Sequence, residues 1–145
     1  MPSQSDLERF VEPQMLTHAK ALAELRGGLK LSHWMWWEIP QLRGLGRSYR
    51  AKTYGLADLD EATRYLAHPT LGPHLLEMCI ALMMHRDNTP EAILGPVDAL
   101  KLQSSATLFA QVPGAPDVFN DILKSFFGDM RCPRTEALLT NANDA

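Results

Sequence analysis

The sequence predicts an all-α protein: a compact array of about seven or eight short helices, with no sheet. Three observations carry that expectation. Helix-entry signatures recur at Ser5-Asp6-Leu7-Glu8, Asp58-Leu59-Asp60-Glu61 and Thr89-Pro90-Glu91, each a side-chain acceptor followed by residues suited to a first turn. Apolar residues recur at spacings of three and four, the period of a helix face. No segment alternates apolar and polar residues for long enough to make a half-buried strand. At 145 residues, 46% hydrophobic and 21% charged, the chain has the size and composition of one soluble globular domain. The whole chain is therefore read as one domain, its ordered core spanning about residues 5–140.

The first capping box opens a helix with Leu7, Phe10 and Val11 on its apolar stripe, which Pro13 is expected to end or kink. A second helical stretch carries Leu16, Ala19, Leu22, Ala23 and Leu25 and stops at Gly27-Gly28. The aromatic run at 34–37 predicts one or two helical turns ended by Pro40, then a loop through Gly44-Leu45-Gly46. Ser48 caps a short helix closed by Gly55. Asp58 opens the next, with Leu59, Ala62, Tyr65 and Leu66, and His68-Pro69 breaks it. Apolar residues cover most of the circumference of residues 70–86, which predicts the central, most buried helix, with Pro73 in its first turn. Thr89-Pro90 starts a short turn ending at Gly95, and Asp98 caps a helix to about Val112. Residues 117–127 turn Val118, Phe119, Ile122, Leu123 and Phe126 inward, 135–139 form a last short helix, and 141–145 should fray.

Several function classes are disfavoured. A net charge of −3 gives no general attraction to nucleic acid or to an anionic membrane. The run from Met78 to Met84 is too short to span a bilayer. Histidines 18, 33, 68, 74 and 85 and cysteines 79 and 132 show no metal-ligand spacing, so no metal is expected. His68 and His74 read as surface or capping groups. Gly44-Leu45-Gly46 lacks a preceding strand, so no phosphate loop and no cofactor are expected. Nothing near the N-terminus reads as a signal peptide, which makes reduced thiols and a cytoplasmic location the expectation. Cys79 reads as a small core residue and Cys132 as a loop residue.

Two segments carry residue types suited to chemistry. All three tryptophans fall at 34, 36 and 37, beside His33, Gln41 and Arg43. Trp34 and Trp37 share a helical face and Trp36 departs from it, so at least one ring should be core and one is available to a pocket wall. His33 is a candidate acid/base by its near-neutral pKa, or else a loop-ordering hydrogen-bonding group. Arg43, Arg47, Arg50 and Lys52 are a solvated arm or an anion-binding rim. In the second segment, Lys101, Ser104 and Ser105 stand at i, i+3 and i+4 beside the apolar arc of Ala99, Leu102, Ala106 and Phe109. They suit an anion or a carbonyl. The alternative is a snorkelling lysine and serines bonded to the preceding turn.

These residues also carry a resemblance. Asp6-Leu7-Glu8-Arg9-Phe10-Val11 with Gln14, Ser32-His33-Trp34-Met35-Trp36 with Pro40-Gln41-Leu42-Arg43-Gly44-Leu45-Gly46, Leu59-Asp60-Glu61-Ala62 with Tyr65-Leu66-Ala67-His68-Pro69 and Leu71-Gly72, and Lys101-Leu102 with Ser104-Ser105 and Thr107-Leu108-Phe109 resemble a bacterial all-helical family, domain of unknown function 1810. The likeness spans about residues 6–139. It implies a helical array and no activity that can be carried over. The family's signature residues fall on His33, Trp34, Trp36, Gln41, Arg43, Lys101, Ser104, Ser105 and Thr107. Some positions depart from the pattern. Trp37-Glu38-Ile39 stands where members usually have Phe, an aliphatic residue and Phe; His18 stands where Tyr is common, and Ala106 where Met is common. The calpastatin-like label sometimes given to members finds no support, since an inhibitor of that type is a disordered repeat chain and this one is compact and repeat-free.

The expectation for function is a small-molecule-binding protein with its pocket between the 33–47 segment and the Lys101 helix. The expected ligand is flat and anionic, for example nucleotide-like, held by Trp34, Trp36, Gln41, Arg43, Lys101, Ser104 and Thr107. The alternatives are a hydrolase or transferase using His33 with Ser105 or Ser104 assisting, and a protein-interaction module with an exposed Trp patch. A shared site requires His33 or Trp36 to lie within about 12 Å of Lys101 or Ser105, the reach of one small ligand.

Overall fold

The computed structural model describes residues 4–144. Among them are nine α-helices and no β-strand, as the sequence pattern requires: after a 3₁₀ turn at Gln4–Leu7 come α1 (Glu8–Arg26), α2 (Met35–Glu38), α3 (Tyr49–Tyr54), α4 (Leu59–Ala67), α5 (Leu71–Met83), α6 (Pro90–Leu94), α7 (Pro96–Ala110), α8 (Val118–Phe127) and α9 (Pro133–Asp144). No helix among the described residues is long and apolar enough to cross a membrane. Leu42 and Leu56 form one isolated parallel bridge, with Arg43 N–H donating to Leu56 C=O at 2.7 Å. That bridge closes the loop over α3. It requires Gly55, where a Cβ would lie 2.7 Å from Arg43 Cα.

The caps behave as their chemistry dictates. Ser48, Asp58 and Thr89 accept the N–H of Ala51, Glu61 and Ala92 at 3.1, 2.8 and 3.1 Å. His68 both ends α4 and caps α5, its Nδ1 accepting the N–H groups of Thr70 and Leu71. Gly72 lets α5 press on α4, since a Cβ there would lie 2.2 Å from Leu66 O. The side chain of Ser5 lies outside the described residues, as do the side chains of 141–144 and all of Ala145.

Several expectations are corrected. Pro13 neither ends nor splits the first helix; α1 runs through it for 19 residues. Proline there costs one hydrogen bond, and Phe10 and Gln14, both buried on either side of it, hold the helix together. The expected stripe on this helix holds at Phe10, Leu22 and Leu25, which are buried, and fails elsewhere. Leu16, Ala19 and Ala23 face solvent, while Gln14, Glu24 and the half-buried Thr17 and His18 turn inward. Asp98 is not a cap, because α7 already begins at Pro96 behind Gly95; proline at the first helical position needs no N–H. The last helix is longer than 135–139. In α5, Leu75, Cys79 and Leu82 are buried as expected, but Ile80 and, just past its end, Met84 are exposed. Helix α7 is at least as central, buried without a break from Ser104 to Phe109. It packs chiefly on α8, and α1 packs on α5. The aromatic segment lies against the second of these pairs, α2 contacting α1, α3 and α5.

Candidate functional site

The three tryptophans diverge because α2 is a single turn. Trp34 is buried and donates its Nε1–H to Glu24 Oε1 at 2.9 Å. The same carboxylate accepts the N–H groups of Leu31 and Ser32 and the Ser32 hydroxyl. Burial pushes Glu24 up, but the hydrogen bonds from Ser32, Trp34 and the two backbone groups outweigh it and hold its pKa at about 2.

Trp37 turns the other way, onto α1. Its Nε1–H donates to Thr17 Oγ1 at 2.9 Å, and its ring meets Tyr54 edge-on. Thr17 Oγ–H in turn faces Glu38 Oε2 at 2.8 Å, and His18 Nδ1 lies 2.8 Å from Glu38 Oε1. Glu38 is almost fully buried. Burial raises its pKa, and the bonds from His18 and Thr17 and the His18 charge reduce that rise without cancelling it. His18 and Glu38, two of the five positions at which the resemblance implies a departure, form a hydrogen-bonded pair.

His18 also stacks on His74, ring centroids 3.6 Å apart and planes within 6°. His74 is not a surface group. Gln14 donates its amide N–H to Trp37 C=O at 2.7 Å and to Tyr65 Oη at 3.0 Å, so Gln14 Oε1 must accept from His74 Nδ1–H at 2.8 Å. Burial and the neighbouring His18 charge lower the His74 pKa, against the charge of Glu77. His18, His74 and Glu77 each place one ligand atom within 4.8 Å of the others, the closest approach to a metal-ligand group among the described residues. The face-to-face stack works against that use. An ion shared by both rings would lie out of at least one ring plane, whereas imidazole lone pairs lie in plane. No sequence spacing could have signalled this group, since His18 and His74 come from α1 and α5.

Trp36 is the ring that reaches a pocket. Half-buried, it carries Lys101 Nζ 3.4 Å from its ring centroid, a cation–π contact. The two segments singled out by sequence therefore meet, well inside the reach of one ligand. Lys101 Nζ is also 3.6 Å from Asp98 Oδ1, but Asp98 Oδ2 is taken by Lys30 at 3.0 Å. One carboxylate thus serves two ammonium groups. Burial lowers the Lys101 pKa, the Asp98 charge and hydrogen bond oppose this, and Lys30 adds to the lowering.

Beside this pair lies an open groove of about 500 Å³, within the size range of small-ligand sites. Trp36, Gln41, Lys101 and Ser104 line it, joined by Arg47, Cys132 and Arg134. The last three are additions that sequence reasoning did not place here. Arg47 stood in the predicted basic rim; Cys132 and Arg134 gave no signal, because only the return of the chain after α8 brings them back to α7.

The remaining candidates lie elsewhere. Arg43 is exposed in a second groove of about 380 Å³ with Asp58 and Asp60, and its charge reaches Glu61. Thr107 is fully buried; its hydroxyl donates to Gln103 C=O at 2.7 Å and accepts Cys132 N–H at 2.9 Å. Ser105 is buried in the core of α7. Ser104 Oγ faces Leu100 C=O at 3.1 Å and Cys132 Sγ at 3.4 Å. Two of the signature hydroxyls of α7, those of Ser104 and Thr107, thus meet the turn that enters α9. His33 is exposed, its ring has no hydrogen-bond partner among the described residues, and it lines neither groove.

The model of the family described as "Protein of unknown function (DUF1810)" matches residues 4–139. Among solved structures, the conserved hypothetical protein Rv1873 from Mycobacterium tuberculosis is 44% identical, with a TM-score of 0.91 over 93% of this chain and 96% of that one. No curated protein matches.

Proposed function

Since the chain belongs to the family described as Protein of unknown function (DUF1810), we propose a function from the groove itself: reversible binding of a flat, anionic small molecule between Trp36 and α9. One observation carries the reading. In a protein of net charge −3, the groove is lined by Arg47, Lys101 and Arg134 and by no carboxylate. Such a wall concentrates anions. Trp36 offers ring surface beside the charge, and Gln41 a donor–acceptor pair for a ligand edge. Arg43, Trp34 and Thr107 leave this list, because they serve the second groove or the core.

The catalytic alternative loses support, since His33 stands outside the groove. A Trp docking patch loses support too: Trp34 is buried, and Trp36 and Trp37 are half-buried. Two unpaired cysteines among the described residues suit the cytoplasmic setting proposed with this function.

Native mass spectrometry of the purified protein for a co-purified ligand, followed by thermal shift with adenosine monophosphate and with inorganic phosphate, tests the reading. The aromatic anion at ten times its Kd should add about 1.4 kcal/mol, or about 3–5 °C; phosphate should add less. No shift with any aromatic anion at millimolar concentration, and no co-purified ligand, overturns it.

A further inference from the structure

Helix α7 has two unlike faces. Ala99, Leu102, Ala106 and Phe109 are buried in the core. On the other side Val97 and Leu100 each keep 65% of their surface exposed. They stand with Lys101 and Ser104 at i, i+3, i+4 and i+7, the spacing of one helical face, and all four line the groove beside Trp36. The half-buried Leu45 adds to that apolar lining. Other exposed apolar side chains, such as Met15, Leu16 and Ile80, are not part of the groove. Exposed apolar residues scattered singly need no explanation, but apolar residues gathered along a concave wall mark surface that a partner covers.

Charge decides what kind of partner fits. Lys101 follows Leu100 directly and holds its ammonium 3.4 Å from the Trp36 ring centroid. Arg47 and Arg134 complete a wall without a carboxylate. The apolar stretch and the anion-attracting stretch therefore meet on α7, inside one cavity. A purely apolar ligand would desolvate these cations without pairing them. A compact anion such as phosphate would pair them and leave Val97 and Leu100 in water.

We propose that the ligand class of this groove is an amphipathic aryl anion, an aromatic carboxylate with a short aliphatic arm. The anionic group pairs with the basic wall, the ring lies beside Trp36, and the arm runs along Leu100 to Val97. The inference rests on the reading of the groove as a site for a flat anion and names the class within it. The length of the arm follows from the helix. Val97 lies one turn before Lys101, about 6 Å along the axis at 1.5 Å per residue. Roughly five bonds of extended chain span that distance, at about 3.3–3.6 Å for every three bonds. The arm is thus about five carbons long, far short of a membrane-lipid tail.

Isothermal titration of the full chain with 4-alkylbenzoates, from methyl to heptyl, tests the class. A fully buried methylene tightens binding about fourfold. With one side of the arm covered in an open groove, about twofold per methylene is expected, so 4-pentylbenzoate should bind roughly fifteenfold more tightly than 4-methylbenzoate. The gain should level off beyond pentyl, where the arm passes Val97. Leu100→Asn and Val97→Asn, both at exposed positions that folding tolerates, should each flatten the rise. The cationic 4-pentylbenzylamine should bind at least about tenfold more weakly than the benzoate of the same shape. A pentyl-over-methyl gain under about threefold, a folded Leu100→Asn variant with the full rise, or an amine that matches the benzoate would each overturn the proposal. If 4-methylbenzoate binds and longer homologues gain nothing, the flat-anion reading stands and this class falls. If no benzoate binds at millimolar concentration, both fall.

Discussion

Trp34 and Trp37 are held by the protein, and Trp36, between them, is not. Both flanking indoles give their N–H to a protein acceptor, Glu24 and Thr17, within networks that end on buried carboxylates. Trp36 instead meets Lys101 at the edge of an open groove. The first kind of contact satisfies buried donors and fixes the segment. The second keeps a desolvated charge beside an aromatic face, next to a wall with no carboxylate. One four-residue turn is therefore structural at its two ends and open to a ligand in the middle. Removing a group at either end should cost stability, whereas removing one from the middle should cost binding.

The largest effect is expected at Glu24. Glu24→Ala strands the N–H groups of Leu31 and Ser32, the Ser32 hydroxyl and the Trp34 indole. Stranding a buried network costs about 3–5 kcal/mol, or about 10–15 °C for a domain of this size. Thermal melts read it directly, and a fall under about 4 °C would break the comparison at its stronger end. The pH dependence has a definite sign. A carboxylate whose folded pKa is depressed contributes stability above its unfolded pKa, and that contribution is lost as the pH falls. The Glu24 contribution should thus fade between about pH 4.5 and about pH 2.

The His18–Glu38 pair sharpens the comparison. Either Glu38→Leu or His18→Tyr alone leaves a buried polar partner, at about 1–3 kcal/mol. The double variant His18→Tyr/Glu38→Leu replaces the pair with the residue types that the family resemblance implies, and should match wild type or exceed it by about 1–4 kcal/mol, as apolar replacements of buried ion pairs do. A double-mutant cycle in denaturant that gives plain additivity would show that the two departures are unrelated.

Glu38 itself should reverse the pH behaviour of Glu24. Its folded pKa is raised, so its contribution is complete below the unfolded pKa near 4.5 and is lost as the pH rises through the folded pKa. Glu38→Gln lacks that loss. Its melting temperature relative to wild type should therefore be more positive at pH 8 than at pH 5, by about 1–4 °C. An unchanged difference would mean that Glu38 stays neutral or stays ionised over the whole range.

Much of the fold was legible because caps and proline breaks are local: Ser48, Asp58, Thr89 and Gly95 act where the sequence places them. The face of α1 was legible at Phe10, Leu22 and Leu25 and not elsewhere, because part of its inward side is polar. Gln14, Thr17, His18 and Glu24 are buried or half-buried as partners of the aromatic segment and of α5, while Met15 and Leu16 are exposed. An apolar stripe cannot report a face chosen by hydrogen bonding across 10 to 60 residues of sequence. The meeting of Trp36 with Lys101 was legible from unusual residue types in two segments. Arg134 and Cys132 were not, since a lone charge and a lone thiol carry no periodicity, and Arg43 was misplaced because the Leu42–Leu56 bridge sets it into the neighbouring groove.

The smallest stability effect, and the sharpest test of the open region, is expected at Lys101. Its ammonium sits over Trp36 and shares Asp98 with Lys30. In Lys101→Met the thioether keeps contact with the indole, and Asp98 keeps Lys30 at 3.0 Å, so no buried acceptor is orphaned. The ammonium is already partly desolvated, and removing it ends that cost. The melting temperature should therefore stay within about 2 °C of wild type. Affinity for an aromatic anion should fall roughly tenfold or more, the size of one lost charged hydrogen bond at about 1.5 kcal/mol. A melting fall well beyond 2 °C with affinity unchanged would make Lys101 a structural residue like Glu24 and erase the distinction between Trp36 and its two neighbours.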